Sequence, residues 1–191
     1  MASNKIKKIL FFFDSRATFS YSNNIIKIFK KYKKNYLILI SGNYLEKEMK
    51  INNVLFKKNK LKVNYKVKFG SPGNNLYSWP KNFGEAIVKF SKKLNTIKPD
   101  LVVLTGDRIE TLAFCITSTY MNIPLAHVQA GDKSGHVDDI SRSVLAKFCH
   151  LHFAPSKNAC KRLKFWGEES KRIFFTGAPQ LDDFKNKKKK L

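Results

Sequence analysis

Residues 101–108 read LVVLTGDR and residues 124–132 read PLAHVQAGD, and these two segments decide the fold. In each, a short apolar run ends in a polar cluster, which is typical of a strand buried on both faces of a parallel sheet. The unusually apolar segment between them, residues 109–121, predicts a helix packed against the sheet. Because ligands bind outside the carboxyl ends of the strands in open α/β sheets, we expect the functional groups at these two strand ends.

The rest of the chain continues this alternation of strands and helices, at spacings that need crossover connections. It therefore predicts an α/β fold with a doubly wound parallel sheet of about seven strands. Further strands are predicted at 6–13, 35–41, 63–69, 151–155 and 172–176, and further helices at 18–34, 83–97, 137–148 and 156–165. The segment 44–62 is irregular and charged, and we interpret it as a short helix and a mobile loop.

Several local features can be predicted in more detail. Residues 63–69 alternate apolar and polar side chains, which indicates a strand near the sheet edge. Thr18 or Ser20 is expected to cap the first helix, and Ser156 the last. For the helix 137–148 we expect the apolar face to consist of Val137, Ile140, Val144 and Phe148. The first strand is not followed by a Gly-x-Gly-x-x-Gly or Walker sequence, which argues against a dinucleotide or P-loop site.

The charge balance is extreme: 37 Lys and Arg residues against 14 Asp and Glu give a formal net charge of +23. Such an excess attracts polyanions without regard to their sequence. Only five of these cations are arginines, whereas specific nucleic-acid readers rely on the bidentate guanidinium group. The composition therefore argues against specific nucleic-acid binding and favours solvated lysine faces.

Targeting and metal signals are weak. The apolar run at residues 9–13 is far shorter than the roughly 18 residues of a membrane span, and no signal-peptide cleavage pattern follows it. We expect a cytoplasmic protein without a membrane partner. The three cysteines are widely spaced and include no Cys-x-x-Cys pair, so they predict free thiols rather than a disulfide framework or a zinc site.

Carboxylates and arginines cluster at the two decisive loops and in the helix that follows them. Each candidate has a structural alternative: Asp107 could cap the helix behind it, and Asp138 in a first helical turn is favoured by the helix dipole alone. Asp138 and Arg142 also have the spacing of an ordinary i,i+4 pair. His127, within an apolar strand, fits a hydrogen-bonded core histidine better than a catalyst.

Seven short motifs, taken in order, resemble the amino-terminal half of the UDP-N-acetylglucosamine 2-epimerases. The likeness is greatest to the hydrolysing branch, which makes N-acetylmannosamine-type sugars for sialic and legionaminic acids. The motifs are DSRA at 14–17, KPDL at 98–101, GDRIET at 106–111, NIPLAH at 122–127, GD at 131–132, DD at 138–139 with Arg142, and FTGAPQLD at 175–182.

The resemblance implies a Rossmann-like domain that corresponds to the first half of a glycosyltransferase-B type fold, with the active site in a cleft between two domains. Residues 1–182 are then the amino-terminal epimerase domain. Residues 183–191 form a lysine-rich tail that we expect to be disordered, and the carboxyl-terminal nucleotide-binding domain is absent. We therefore expect a truncated enzyme that is inactive alone, with a separately encoded carboxyl-terminal domain or further copies of the chain as candidate partners.

The family reaction removes the proton at carbon 2 of UDP-N-acetylglucosamine (UDP-GlcNAc), expels UDP to give 2-acetamidoglucal, and adds water to release N-acetylmannosamine. It requires acid/base groups near the ring and cations near the diphosphate, but no metal or redox cofactor. The resemblance nominates three catalytic carboxylates: Asp107, Asp132 and Asp138. It nominates four substrate-binding residues: Arg16, Arg108, Gln129 and Arg142.

Two departures from the family pattern bear on activity. Gln129 stands where the family commonly has an acidic residue, and an amide cannot act as a general base. Ser143 stands where a histidine is usual after the arginine. These departures keep an alternative open: a non-catalytic interaction or anion-binding domain on the same fold, whose lysine surface attracts acidic partners.

Overall fold

In the computed structural model, a parallel sheet organises the described residues, which are 6–45, 55–70, 76–133, 135 and 138–182. Its strands are β1 (Ile9–Phe13), β2 (Tyr36–Ile40), β3 (Tyr65–Lys66), β4 (Leu101–Thr105), β5 (Leu125–Val128), β6 (Leu151–Ala154) and β7 (Ile173–Phe175). They lie in the order β3-β2-β1-β4-β5-β6-β7, and all neighbouring strands are parallel. The prediction of a doubly wound parallel sheet of about seven strands is confirmed.

Helices connect the strands. They are α1 (Arg16–Lys31), α2 (Ser78–Ile97), α3 (Ile109–Tyr120), α4 (Asp138–Phe148) and α5 (Lys157–Phe165), with short 3-10 turns at Gly42–Leu45, Ser170–Arg172 and Pro179–Leu181. Ser15 caps α1, so the expectation of Thr18 or Ser20 was wrong; Thr18 instead completes a reciprocal capping box with Ser15. Ser156 caps α5 as predicted, accepting a hydrogen bond from the Ala159 amide at 3.1 Å.

The core lies on both faces of the sheet because successive residues of β1 point to opposite faces. Phe12 stacks on Phe114 of α3 at 4.1 Å between ring centroids and also contacts Phe90 of α2. On the other face, Phe11 and Phe13 pack with α1 side chains such as Phe19. Each fully buried phenylalanine stabilises the fold by about 1.5–3 kcal/mol, so the run of three anchors both helical layers.

Two local expectations were only partly correct. The strand predicted at 63–69 is paired only at Tyr65–Lys66, although its place at the sheet edge is confirmed. On α4, Ile140 and Val144 are exposed, and the helix instead buries Leu145, Ala146 and the Cys149 that follows it. Arg142 turns inward to Asp107, which brings the residues three, four and seven positions later to the inside.

Some predictions concern segments that lie outside the described residues, namely part of the irregular segment (46–54) and the lysine-rich tail (183–191). Among the described helices, none has the length and apolar character needed to cross a membrane.

Candidate active site

The carboxyl ends of β1, β4 and β5 meet at a pocket of about 100 Å³. Five of the seven predicted site residues line it: Asp107, Arg108, Gln129, Asp132 and Arg142. Ser15, Ala17, Thr18 and Tyr21 complete the wall on the α1 side, and Gly106 lies at the end of β4. The expectation that the polar strand ends would converge on one edge is therefore confirmed by the geometry.

The centre of the pocket is an ion pair between Asp107, after β4, and Arg142 on α4. The Nη2 atom of Arg142 donates to Oδ2 of Asp107, and the two side chains are only 11% and 13% exposed. Arg142 Nη1 lies 3.6 Å from Oδ1 of Asp139. This nitrogen is buried and has no hydrogen-bond acceptor among the described residues. A cationic donor with spare hydrogen-bonding capacity thus borders the pocket.

The carboxylate observed beside Arg142 one turn earlier is Asp139, at the i,i+3 spacing. Its other oxygen accepts a hydrogen bond from the Gly135 amide at 2.8 Å. Asp138 is the first residue of α4, but its side chain lies outside the described part of the structure. The catalytic role predicted for Asp138, and its pairing with Arg142, therefore stay predictions.

The other predicted residues are held by neighbours of different kinds. Gln129 is nearly buried with a positive φ of 64°, and its Nε2 donates to Gln180 Oε1 at 2.8 Å. Arg108 reaches Glu110, with its Nε 3.3 Å from Oε2. Asp132 is half exposed, 3.8 Å from Arg162 Nη2. The amide of Gln129 is thus oriented by a residue far away in sequence.

Arg16 stands apart from this group. It is the first residue of α1 and is exposed, and it does not line the pocket, although its neighbours Ser15 and Ala17 do. The structure therefore places Arg16 at the rim of the site, and its predicted role in binding substrate stays a prediction.

Asp14 is a buried carboxylate behind the pocket that the sequence analysis did not single out. Its oxygens accept hydrogen bonds from Thr18 Oγ1 at 3.1 Å and Thr111 Oγ1 at 2.7 Å. Burial, reinforced by repulsion from Glu110, raises the pKa of Asp14 to about 6. The signal available in the sequence was an acidic residue directly after a fully apolar strand, with a threonine one turn later.

His127 is a buried histidine that contacts the loop after β4. It is fully buried on β5, and its Nε2 lies 2.9 Å from the carbonyl oxygen of Gly106, the residue before Asp107. Because a carbonyl only accepts, Nε2 carries the proton. Burial lowers the pKa of His127 to about 4, so the ring is neutral at neutral pH. The interpretation as a core histidine is confirmed.

No cluster of three or more potential metal-ligating side chains occurs within the described residues. What these residues offer chemically is a small polar pocket with two carboxylates, two guanidinium groups and one oriented amide. Such a set can accept or donate a proton next to a bound anion.

Comparison with known proteins decides the family. The sequence model of the family described as UDP-N-acetylglucosamine 2-epimerase matches residues 27–191. The chain belongs to this epimerase family. The resemblance drawn from the motifs is confirmed.

Two relatives in the epimerase family carry the hydrolysing designation in their names. The UDP-N,N'-diacetylbacillosamine 2-epimerase (hydrolyzing) of Legionella pneumophila is 38% identical over 106 residues, which cover 56% of this chain and 28% of the relative. The GDP/UDP-N,N'-diacetylbacillosamine 2-epimerase (hydrolyzing) of Campylobacter jejuni is 33% identical over 150 residues, which cover 78% of this chain and 39% of the relative. The chain spans less than half the length of either relative.

A solved epimerase confirms the architecture. The Methanocaldococcus jannaschii UDP-GlcNAc 2-epimerase, determined in complex with UDP-GlcNAc and UDP, superposes with a TM-score of 0.80 at 26% identity, covering 95% of this chain and 51% of that one. The chain thus has the α/β, Rossmann-like fold of one half of a glycosyltransferase-B type epimerase.

Proposed function

We propose that this chain forms one wall of the active site of a hydrolysing UDP-GlcNAc 2-epimerase, as its amino-terminal domain. The observation that carries the proposal is the nearly buried Asp107–Arg142 pair in a pocket at the carboxyl ends of the strands. A carboxylate beside a guanidinium group is what proton removal next to an anionic leaving group requires. The names of the Legionella and Campylobacter relatives support the hydrolysing type.

The proposed first step forms the carbon 1–carbon 2 double bond of 2-acetamidoglucal. A carboxylate takes the proton from carbon 2, the electrons of that bond form the double bond, and the bond from carbon 1 to the diphosphate oxygen breaks as UDP leaves. Water then adds, with its hydroxyl at carbon 1 and a proton delivered to carbon 2 from the opposite face. The products are N-acetylmannosamine and UDP.

We assign the acid/base work to three carboxylates on this wall. Asp107 lies in the pocket beside Arg142, which makes it the first candidate for the carbon 2 proton, while Asp132 lines the same pocket and is more exposed. Asp138 is the first residue of α4, the helix that carries Arg142. The amide of Gln129 cannot take a proton, so in this proposal it orients the sugar and a carboxylate takes the acid/base role.

The leaving diphosphate needs cations. Arg142 offers a buried Nη1 without an acceptor among the described residues, and Arg108 lines the same pocket. Arg16 at the rim completes a set of three guanidinium groups, which bind phosphate oxygens in bidentate fashion. In this proposal UDP departs toward these arginines, and no metal or redox cofactor takes part.

The size of the pocket supports a two-sided site. At about 100 Å³ it is well below the roughly 300–1,000 Å³ of sites that enclose a small ligand. A nucleotide sugar bound there would be only partly enclosed, so we assign the rest of the site to a carboxyl-terminal domain on another chain or to a further copy. Without that part of the site the positioning that lowers the barrier is lost, so we propose that the chain alone does not turn over.

The names of the relatives support a substrate class. We propose a UDP-linked 2-acetamido sugar, either UDP-GlcNAc or the UDP-N,N'-diacetylbacillosamine in the names of the two relatives. By the same resemblance, the enzyme would act in the cytoplasm in the synthesis of sialic-acid-type sugars.

A binding experiment tests the proposal. Isothermal titration of the purified chain with UDP-GlcNAc should show binding that weakens in Arg16→Ala and Asp107→Asn but is unchanged in Lys93→Ala, a matched loss of charge on α2 away from the pocket. Equal loss in Arg16→Ala and Lys93→Ala would contradict the assignment of the site.

One observation favours the alternative of an anion-binding domain. Five lysines line a hollow of about 330 Å³ between β3 and α2: Lys66, Lys68, Lys89, Lys92 and Lys93. Binding there should fall steeply with added salt because counterion release drives it. If polyphosphate competes with UDP-GlcNAc and Lys93→Ala weakens both, the alternative is correct and the epimerase site is not.

A further inference from the structure

The buried carboxylate of Asp14 joins two helices that begin at the pocket. Oδ1 accepts a hydrogen bond from Thr18 in the first turn of α1, and Oδ2 accepts one from Thr111 in the first turn of α3. Asp14 and Thr111 are fully buried, and Thr18 is 2% exposed. One side chain therefore fixes the first turn of α1 relative to that of α3.

Both helix starts carry parts of the pocket wall. Thr18 lines the pocket and belongs to the capping box of Ser15. Its methyl group packs so closely on Gly106 that a Cβ atom there would lie 2.8 Å from Thr18 Cγ2. Gly106 precedes Asp107, and the N-cap of α3 is Arg108. The position of Thr18 thus determines how closely the loop after β1 and the loop after β4 (the β1 and β4 loops) approach each other.

The Thr18 hydroxyl has two acceptors to choose from. It lies 3.1 Å from Asp14 Oδ1 and 2.8 Å from the Ser15 carbonyl oxygen, and it has one proton to donate. Thr111 is the nearer partner of Asp14, at 2.7 Å. We expect the protonated carboxyl group of Asp14, which is a weaker acceptor than the carboxylate, to keep its bond to Thr111 and to release Thr18 to the Ser15 carbonyl oxygen.

We propose that Asp14 is a positioning residue of the nucleotide-sugar site, whose ionised carboxylate aligns the β1 and β4 loops through Thr18 and Thr111. The identity of the ligand rests on the proposed function, whereas the connection between the loops does not. Asp14 does not line the pocket, so it acts through these threonines rather than on substrate.

The charged groups around Asp14 bring its ionisation near neutral pH. Burial raises the pKa of Asp14 most, repulsion from Glu110 of α3 raises it further, and Arg108 opposes the rise only in part, so the pKa is about 6. Ser15 and Thr111 donate hydrogen bonds that oppose this rise. The alignment of the loops should therefore change between pH 5 and pH 7.

The first experiment uses the chain without ligand. Methyl and amide NMR spectra are followed from pH 5 to pH 8 at Thr18. The wild type should show a transition near pH 6 at the Thr18 methyl group that disappears in Asp14→Asn and persists in Thr117→Val. Thr117 is a matched control because it is also buried on α3 but donates to the Ala113 carbonyl of its own helix. Absence of the transition in the wild type, or its persistence in Asp14→Asn, would overturn the proposal.

The second experiment measures affinity for UDP-GlcNAc, whose diphosphate is a diester and keeps its charge over this pH range. At pH 7.5, Thr111→Val should weaken binding about tenfold, the loss expected for one hydrogen bond to a charged group, and Thr117→Val should not. The wild-type affinity should increase from pH 5 to pH 7.5, whereas that of Asp14→Asn should be flat. Equal effects of the two threonine variants would overturn the positioning role. If the wild type fails to bind, the proposed function fails instead, and the ligand-free experiment still decides whether Asp14 aligns the loops.

Discussion

Replacing Arg142 by methionine keeps the aliphatic stem and removes the positive charge that faces Asp107. The variant leaves the carboxylate of Asp107, only 13% exposed, without its guanidinium partner. Loss of one member of a buried ion pair costs about 3–5 kcal/mol, whereas an exposed pair contributes about 0–1 kcal/mol. With 11% and 13% of their side-chain surfaces exposed, Arg142 and Asp107 resemble a buried pair more than an exposed one. We expect the free energy of unfolding to fall by about 2–4 kcal/mol.

Two further variants separate the charge effect from packing. Asp107→Asn combined with Arg142→Met removes both charges, so it should be less destabilised than Arg142→Met alone. Lys171→Met is the control, because the Lys171–Glu169 pair is close, at 2.7 Å, but its side chains are 80% and 56% exposed. Because solvent screens this exposed pair, its loss should change the stability very little.

The assay is urea denaturation followed by circular dichroism at pH 7.5, with equal m-values as the test that the same transition is compared. A cost of Arg142→Met no larger than that of the exposed control would refute the reasoning. It would mean that the pair is solvated and does not define the pocket.

Two other predictions concern the surroundings of the site. Gly131 and Gly135 both have positive φ, but a Cβ at Gly131 would lie 2.6 Å from the Ala159 carbonyl oxygen, whereas at Gly135 it would meet no atom of the described residues within 4 Å. Gly131→Ala should therefore be less stable than Gly135→Ala by about 1–3 kcal/mol, and equal urea midpoints would contradict this. Folding raises the pKa of Asp14 from 3.8 to about 6, so the native state binds the extra proton and stability from this group falls as pH rises from about 4 to 6. Folding lowers the pKa of His127 from 6.5 to about 4, so the unfolded state binds the extra proton and stability from this group rises over about pH 4 to 6.5. Relative to the wild type, Asp14→Asn should gain about 3 kcal/mol from pH 4 to pH 7 and His127→Gln should lose about as much; urea titrations with parallel pH profiles for all three proteins would show that neither shift exists.

The sequence was sufficient for the architecture because each strand of the central sheet is a short apolar run with a clear end. It also predicted that the polar residues after β4 and β5 lie at one edge of the sheet, since parallel strands run in the same direction. Asp107 and Arg142 were nominated separately, 35 residues apart, but nothing in their spacing predicted that they pair. That contact depends on how α4 packs on α3, which periodicity alone does not determine.

The misses, and the points that the sequence left open, have physical causes of the same kind. Residues three and four positions apart are both neighbours on a helix, so spacing could not choose between Asp138 and Asp139 as the carboxylate beside Arg142. The apolar residues Ile140 and Val144 suggested one buried face, yet the inward turn of Arg142 selects another. Gln129 adopts a left-handed backbone conformation, for which the usual sign in a sequence is a glycine. Its partner Gln180 lies 51 residues away, so local sequence could not predict the contact.

The central claim is that this wall supplies the groups that act on the carbon 2 proton and needs a second surface to do so. The most direct measurement is NMR of UDP-GlcNAc in heavy water, which detects deuterium at carbon 2 and free N-acetylmannosamine. We predict no exchange with the chain alone. Exchange should appear once the part of the Campylobacter jejuni relative beyond the matched region is added. That exchange should disappear when the chain carries Asp107→Asn. Exchange by the chain alone that is lost in Asp107→Asn would contradict the need for a second surface, and exchange in the mixture that survives Asp107→Asn would contradict the assignment of the site.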